Sequence, residues 1–167
     1  MTVNEGMFTS NSDDWSTPQD LYDKLDGEFH FTLDPCASTE NHKTEKYFTE
    51  ADDGLKQEWH GSVFCNPPYS NIKNWVKKAY EEAQKPYCTR VVMLIPARPD
   101  TKYWHEYVQF GTDIRFLKGR LKFGAATNSA PFPSAVVVFT NVVDDDNDFF
   151  EYMRPNRIKF WDWRSNA

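Results

Sequence analysis

Four consecutive residues, Asn66-Pro67-Pro68-Tyr69, bring together groups suited to handling a planar amine. The Asn66 side chain offers a carbonyl acceptor. The two prolines fix the backbone and carry no N–H, which frees neighbouring carbonyls to accept. Tyr69 adds a flat aromatic face. Two acceptors for two N–H groups, with a ring for the heterocycle, would hold an exocyclic amine such as adenine N6. That nitrogen is a poor nucleophile because its lone pair is delocalised into the ring. Acceptors on both hydrogens favour a pyramidal nitrogen whose lone pair points outward, toward a sulfonium methyl placed in line. Positioning and electrostatics would supply most of the acceleration. The bland alternative is a rigid turn after an edge strand. The context, a strand, then this turn, then a capped helix, favours the functional reading.

Other candidates are weighed the same way. Asp34-Pro35 closes an alternating segment, and a carboxylate at a strand's carboxyl end suits a ligand's ammonium better than it suits a plain strand stop. Arg98 and Arg120 follow strands on the rim that carries Asn66, so they read as phosphate contacts. His30, His42, His60 and His105 lack metal-ligand spacing and read as structural or solvated. Cys36, Cys65 and Cys88 form no C-x-x-C pair, which supports neither a zinc ribbon nor a disulfide framework and points to a reducing, cytoplasmic compartment. Trp75 has a core phase on its helix. Trp161 and Trp163 flank Asp162 and read either as a cover for the sheet edge or as a wedge into a duplex.

The elements that would position these groups follow from pattern. Thr17 caps a helix with Pro18 in its first position, Leu21 and Leu25 on one face, and Gly27 at its end. Phe29, Phe31 and Leu33 alternate as a strand into Asp34. Residues 36–61 are polar and show no clear period. Val63-Phe64-Cys65 is a strand stopped by the prolines. Asn71 caps a helix whose apolar face is Ile72, Trp75, Val76, Ala79, Tyr80 and Ala83. Arg90 to Pro96 and Ala135 to Phe139 read as strands buried on both faces. Between them, Asp100 caps a short helix, Ile114 to Leu117 form a strand, and 124–133 is a loop. Arg154 to Trp163 reads as an edge strand. The alternation predicts an α/β fold with a mainly parallel sheet and an antiparallel strand near the C-terminus. Ligands in such sheets sit beyond the carboxyl ends of the strands.

The 167 residues predict one domain with a short arm. With 40% apolar and 26% charged residues, the chain can bury a core. No long uncharged apolar stretch suits a membrane span, and the first fourteen residues lack the pattern of a secretory signal. Only 7 glycines argue against a glycine-rich phosphate loop. The net charge of −6 is unevenly spread. Residues 1–60 carry 4 basic and 14 acidic side chains, and residues 61–143 carry 11 basic and 5 acidic. A basic middle can present a positive face to a polyanion, because screening makes local charge outweigh the total.

The chain resembles the small adenine-N6 DNA methyltransferases of bacteriophages and prophages, the phage Dam family. The resemblance runs from about Trp15 to Phe139. It is carried by WSTPQDLYDKL, FTLDPCAS-TEN, KYFT with DDGL, VFCNPPYS, LIPARPDTKYWH, and GRLKF ahead of APFPSAVVVF. It implies a Rossmann-like methyltransferase domain over 15–143, between an arm at 1–14 and a C-terminal extension at 144–167. It implies S-adenosylmethionine as donor, double-stranded DNA as substrate and a flipped adenine, with no metal and no membrane. Asn66, Pro67, Pro68 and Tyr69 match the catalytic motif. Thr17 and Pro18 match a segment that touches the donor's methionine end. Asp34, Pro35 and Ala37 match the turn where an acidic residue meets the donor's amino group, and Asp53 an acidic position near its adenine. Glu40 and Asn41 are candidates for the ribose. Arg98, Arg120 and Lys122 would contact DNA, with loop 124–133 and tail 144–167 as readers. One departure is the first turn, Asp-Pro-Cys-Ala-Ser, which lacks the usual glycines. Two other readings stay open: a methyltransferase of this motif acting on RNA or a protein glutamine, and a non-catalytic DNA-binding protein of the same fold.

Overall fold

The computed structural model describes residues 16–123, 129–141 and 157–165. The expected arm at 1–14, part of the loop and most of the C-terminal extension lie outside them. Helix α1 spans Gln19–Phe29, strand β1 Leu33–Asp34, β2 Lys46–Tyr47 and β3 Gly61–Cys65. Helix α2 spans Ile72–Ala83 and β4 spans Cys88–Pro96. A short helix α3, Lys102–Glu106, precedes β5 (Asp113–Leu117), β6 (Ser134–Phe139) and β7 (Ile158–Trp161).

The seven strands form one sheet in the order β2-β1-β3-β4-β6-β5-β7. β1, β2, β3 and β4 pair parallel, as do β5 and β7, and β6 runs antiparallel to both β4 and β5. The fold is therefore mixed α/β with a mostly parallel sheet and the reversed strand near the C-terminus. The reversal fits the connectivity: no helix lies between β5 and β6 among the described residues, and parallel neighbours are usually joined by a helical crossover.

β4 explains the two-layer core. Val91, Met93 and Ile95 pack with Trp75, Val76, Ala79, Trp104 and Val108 on one face. Val92 and Leu94 pack with Leu21, Tyr22, Leu25, Leu121, Phe123 and Trp163 on the other. Trp163, at 4% exposure, thus covers the sheet rather than projecting from it.

Five local expectations change. α1 runs through Gly27 to Phe29 and ends at His30, whose φ of 52° is left-handed and whose N–H donates to Asp26 O at 2.8 Å. Tertiary partners override glycine's stop signal: Glu28 pairs with the buried Arg115, and the Phe29 carbonyl accepts from Ser62 Oγ and Arg90 Nη1. The first strand shrinks to Leu33–Asp34 because the Phe31 N–H donates to the Asp26 carboxylate instead of a neighbouring strand. Thr17 does not cap α1; Pro18 holds that position without a side-chain cap. Asn71 heads α2 by position, but its amide oxygen accepts from Asn74 Nδ2 and not from the backbone, while Thr101 instead of Asp100 precedes α3.

Candidate active site

Because all strands but β6 share one direction, β1, β3, β4 and β5 release the chain along a single edge of the sheet. Asp34 ends β1, and Asn66 follows β3 by one residue. Between them and the chain before α1 opens a cavity of about 530 Å³. Thr17, Asp34, Pro35, Ala37, Asp53, Asn66 and Pro68 line it, so seven positions predicted from sequence converge. Asn41 also lines it, and Glu40 is exposed outside it.

Thr17 is buried, and its hydroxyl accepts from Asn66 Nδ2 at 3.0 Å. This bond orients the amide. With the nitrogen turned to Thr17, the carbonyl is the end directed away from it. Pro18 aligns α1 from behind, its carbonyl accepting from the Tyr22 N–H at 3.0 Å.

Asp34 is 5% exposed. Its Oδ1 accepts from the Cys36 N–H at 3.3 Å and its Oδ2 from the Lys43 N–H at 3.1 Å. One carboxylate thereby closes the loop from residue 34 to residue 43. Burial raises its pKa above the ordinary value, while the two N–H bonds and the Lys43 charge pull the other way. Each carboxylate oxygen has a second lone pair for a ligand.

The glycine missing from the first turn is supplied elsewhere. A Cβ on Gly54 would sit 2.1 Å from the Pro35 carbonyl, so only glycine lets the 53–56 turn close on the loop after β1. Trp59 Nε1 donates to Gly54 O at 2.8 Å and pins this approach. Asp53, at a left-handed φ of 56°, caps the turn by accepting from the Leu55 N–H. Leu55 and the core residue Trp75 add apolar wall.

Pro67 and Tyr69 are not in the cavity lining. Tyr69 is 8% exposed and meets Phe132 edge to face, with centroids 5.1 Å apart, so its ring is covered where an open stacking face was expected. Burial holds its hydroxyl far above the ordinary pKa. Arg98, Arg120 and Lys122 are exposed and stand outside the cavity. Arg120 Nη1 reaches the Ala130 carbonyl at 3.4 Å, two residues before Phe132.

Sequence reasoning missed Lys43 and Gly54. Both lie in the polar stretch without period. The signal for Gly54 was a lone glycine after Asp52-Asp53, legible as a turn but not as a close approach.

The family model described as "DNA N-6-adenine-methyltransferase (Dam)" matches residues 6–154. The chain belongs to this family. It is also similar to the DNA N-6-adenine-methyltransferase of Escherichia phage T1, at 34% identity over 110 residues. That match covers 64% of this chain and 45% of the phage T1 protein, so the chain spans less than half the length of that relative. Several segments that carry the family resemblance, those around Thr17, Asp34, Asp53 and Asn66, meet at the cavity.

Proposed function

We propose that the chain is a DNA adenine-N6 methyltransferase of Rossmann-like type, using S-adenosylmethionine and acting on a flipped adenine in duplex DNA. One observation carries this reading: the Asn66 amide stands on the wall of a roomy cavity beside the Asp34 carboxylate and is oriented by Thr17. The residues present suit the donor. The cavity volume falls in the range that encloses a drug-sized ligand. Asp34 offers acceptors for an ammonium, Asp53 and Asn41 polar groups for a ribose or adenine edge, and Leu55 and Trp75 an apolar wall.

When bound, S-adenosylmethionine supplies an electrophilic methyl group. The protein's part is placement. Asn66 accepts one N–H of the target amine, and a backbone carbonyl of the proline turn accepts the other. Asn66 takes no proton; the methylated ammonium is acidic and loses one to water. Phe132, edge to face on Tyr69, sets the segment before β6 against the proline turn. Arg98, Arg120 and Lys122 would hold phosphates and leave sequence to other contacts.

The test is incubation with methyl-labelled S-adenosylmethionine and mixed-sequence duplex DNA, followed by nucleoside analysis. Label in N6-methyladenine is expected. Label in RNA or protein would reassign the substrate, and donor binding without transfer would make the chain a binding protein.

A further inference from the structure

We propose that Lys43 binds the carboxylate of the donor's amino-acid end, beside the ammonium site at Asp34. The inference rests on the donor reading above and adds a residue to it. Lys43 is the single Lys or Arg among the described residues lining the cavity, and the other charged residues there, Asp34, Glu50 and Asp53, are acidic. An α-amino acid is a zwitterion. It needs one anion and one cation close together, and the loop 34–43 supplies that pair.

The alternative is that Lys43 only helps to close the loop. The structural bond, however, is made by its backbone N–H to Asp34 Oδ2, which any non-proline residue could supply. The side chain does something else. It is half-buried, with Nζ donating to the neutral Gln19 Oε1 at 2.9 Å and lying 5.7 Å from the Tyr22 ring centroid. Among the described residues it forms no ion pair. Burial pulls its ammonium below the ordinary pKa, and Asp34 and Asp23 push it up. Its ammonium now donates to a neutral amide, and exchanging that partner for an arriving carboxylate would form a stronger, charge-assisted bond.

Calorimetry with two probes tests this. S-adenosylhomocysteine carries both the carboxylate and the amine; its decarboxylated analogue, 5′-deoxy-5′-(3-aminopropylthio)adenosine, keeps only the amine. The wild type should bind the first at least about tenfold more tightly, the scale of one charge-assisted hydrogen bond. Lys43→Ala should lose that advantage while holding the decarboxylated probe unchanged, and Lys43→Arg should keep most of it. Equal wild-type affinity for the two probes, or equal loss of both in Lys43→Ala, overturns the Lys43 assignment and leaves the donor site standing. A wild type that binds neither probe overturns the donor reading and Lys43 with it.

Discussion

Asn66 and Thr17 act as a unit, and their division of labour is measurable. On the proposed reading, Asn66→Ala removes the acceptor for the amine without touching the Asp34 end. Transfer should fall about a hundredfold or more, the scale of losing one positioned hydrogen-bonding group, with donor affinity unchanged by calorimetry. Asn66→Asp, which keeps an acceptor, should retain part of the activity. Thr17→Val keeps the shape but removes the 3.0 Å bond that orients the half-buried Asn66 amide. Turnover should drop about tenfold with donor affinity constant, and Thr17→Ser should restore it. A loss of donor affinity at constant turnover would instead place Thr17 at the methionine end, as the family resemblance implies.

Asp34 gives a pH signature with two opposite signs. Burial raises its folded pKa above the ordinary 3.8. A carboxyl shifted that way costs stability when ionised, and the cost disappears as pH falls through the raised value. A donor's ammonium needs the ionised form. Acidification should therefore weaken donor binding with a midpoint above 3.8, while Asp34's own contribution to the fold becomes more favourable. Asp34→Asn should flatten the binding profile. A midpoint at or below the ordinary value in the wild type would remove Asp34 from the ammonium site.

At the scale of elements, what the sequence made legible was what periodicity and proline encode. β4 and β6 are continuous apolar runs because helices or loops cover both faces, and α2's buried stripe follows from its spacing. Asn66 was legible because two prolines end a strand. The segment from Cys36 to His60 was not legible, because side-chain-to-backbone bonds hold it in place of a repeating pattern. Asp34 closes one loop, Ser38 and Asn41 hold a turn inside it, and Asp52 and Asp53 hold the next. Such bonds pair residues whose partners only the fold reveals, so Lys43 looked like one more surface lysine. The left-handed His30 shows the same limit, since α1 ends where Phe29 finds tertiary partners. Gly54 is the element-scale test. Gly54→Ala forces a Cβ toward the Pro35 carbonyl and must push the two loops apart. Chemical denaturation should show a loss of about 1–3 kcal/mol, accompanied by weaker donor binding. A fully stable variant with wild-type affinity would mean the two loops are not held together by this close approach.

At the scale of the molecule, charge and topology divide the work. The first sixty residues hold 14 acidic side chains against 4 basic, and they build most of the cavity wall. Residues 61–143 reverse the balance to 11 basic against 5 and carry Asn66 to Tyr69. A polyanion approaching the Asn66 edge is repelled by the first part and attracted by the second. The attraction is local, because Lys118 is already paired with Asp162 at 3.1 Å and Lys77 with Glu81 at 3.8 Å. Arg98 and Arg120 form no such pairs among the described residues and stand exposed at the ends of β4 and β5. Neutralising either should weaken DNA binding about equally for all sequences. It should also lower the slope of log affinity against log salt by about one for each phosphate that is no longer neutralised. Tyr69→Ala should behave differently. It removes a buried ring that packs on Phe132 next to the Asn66 turn and no phosphate contact, so methylation should fall while the salt slope holds. Measuring both slopes on one duplex separates docking from base capture. Unchanged slopes for Arg98→Ala and Arg120→Ala would mean that the phosphates do not lie along the ends of β4 and β5, and the docking surface would have to be sought among the basic residues that follow β6.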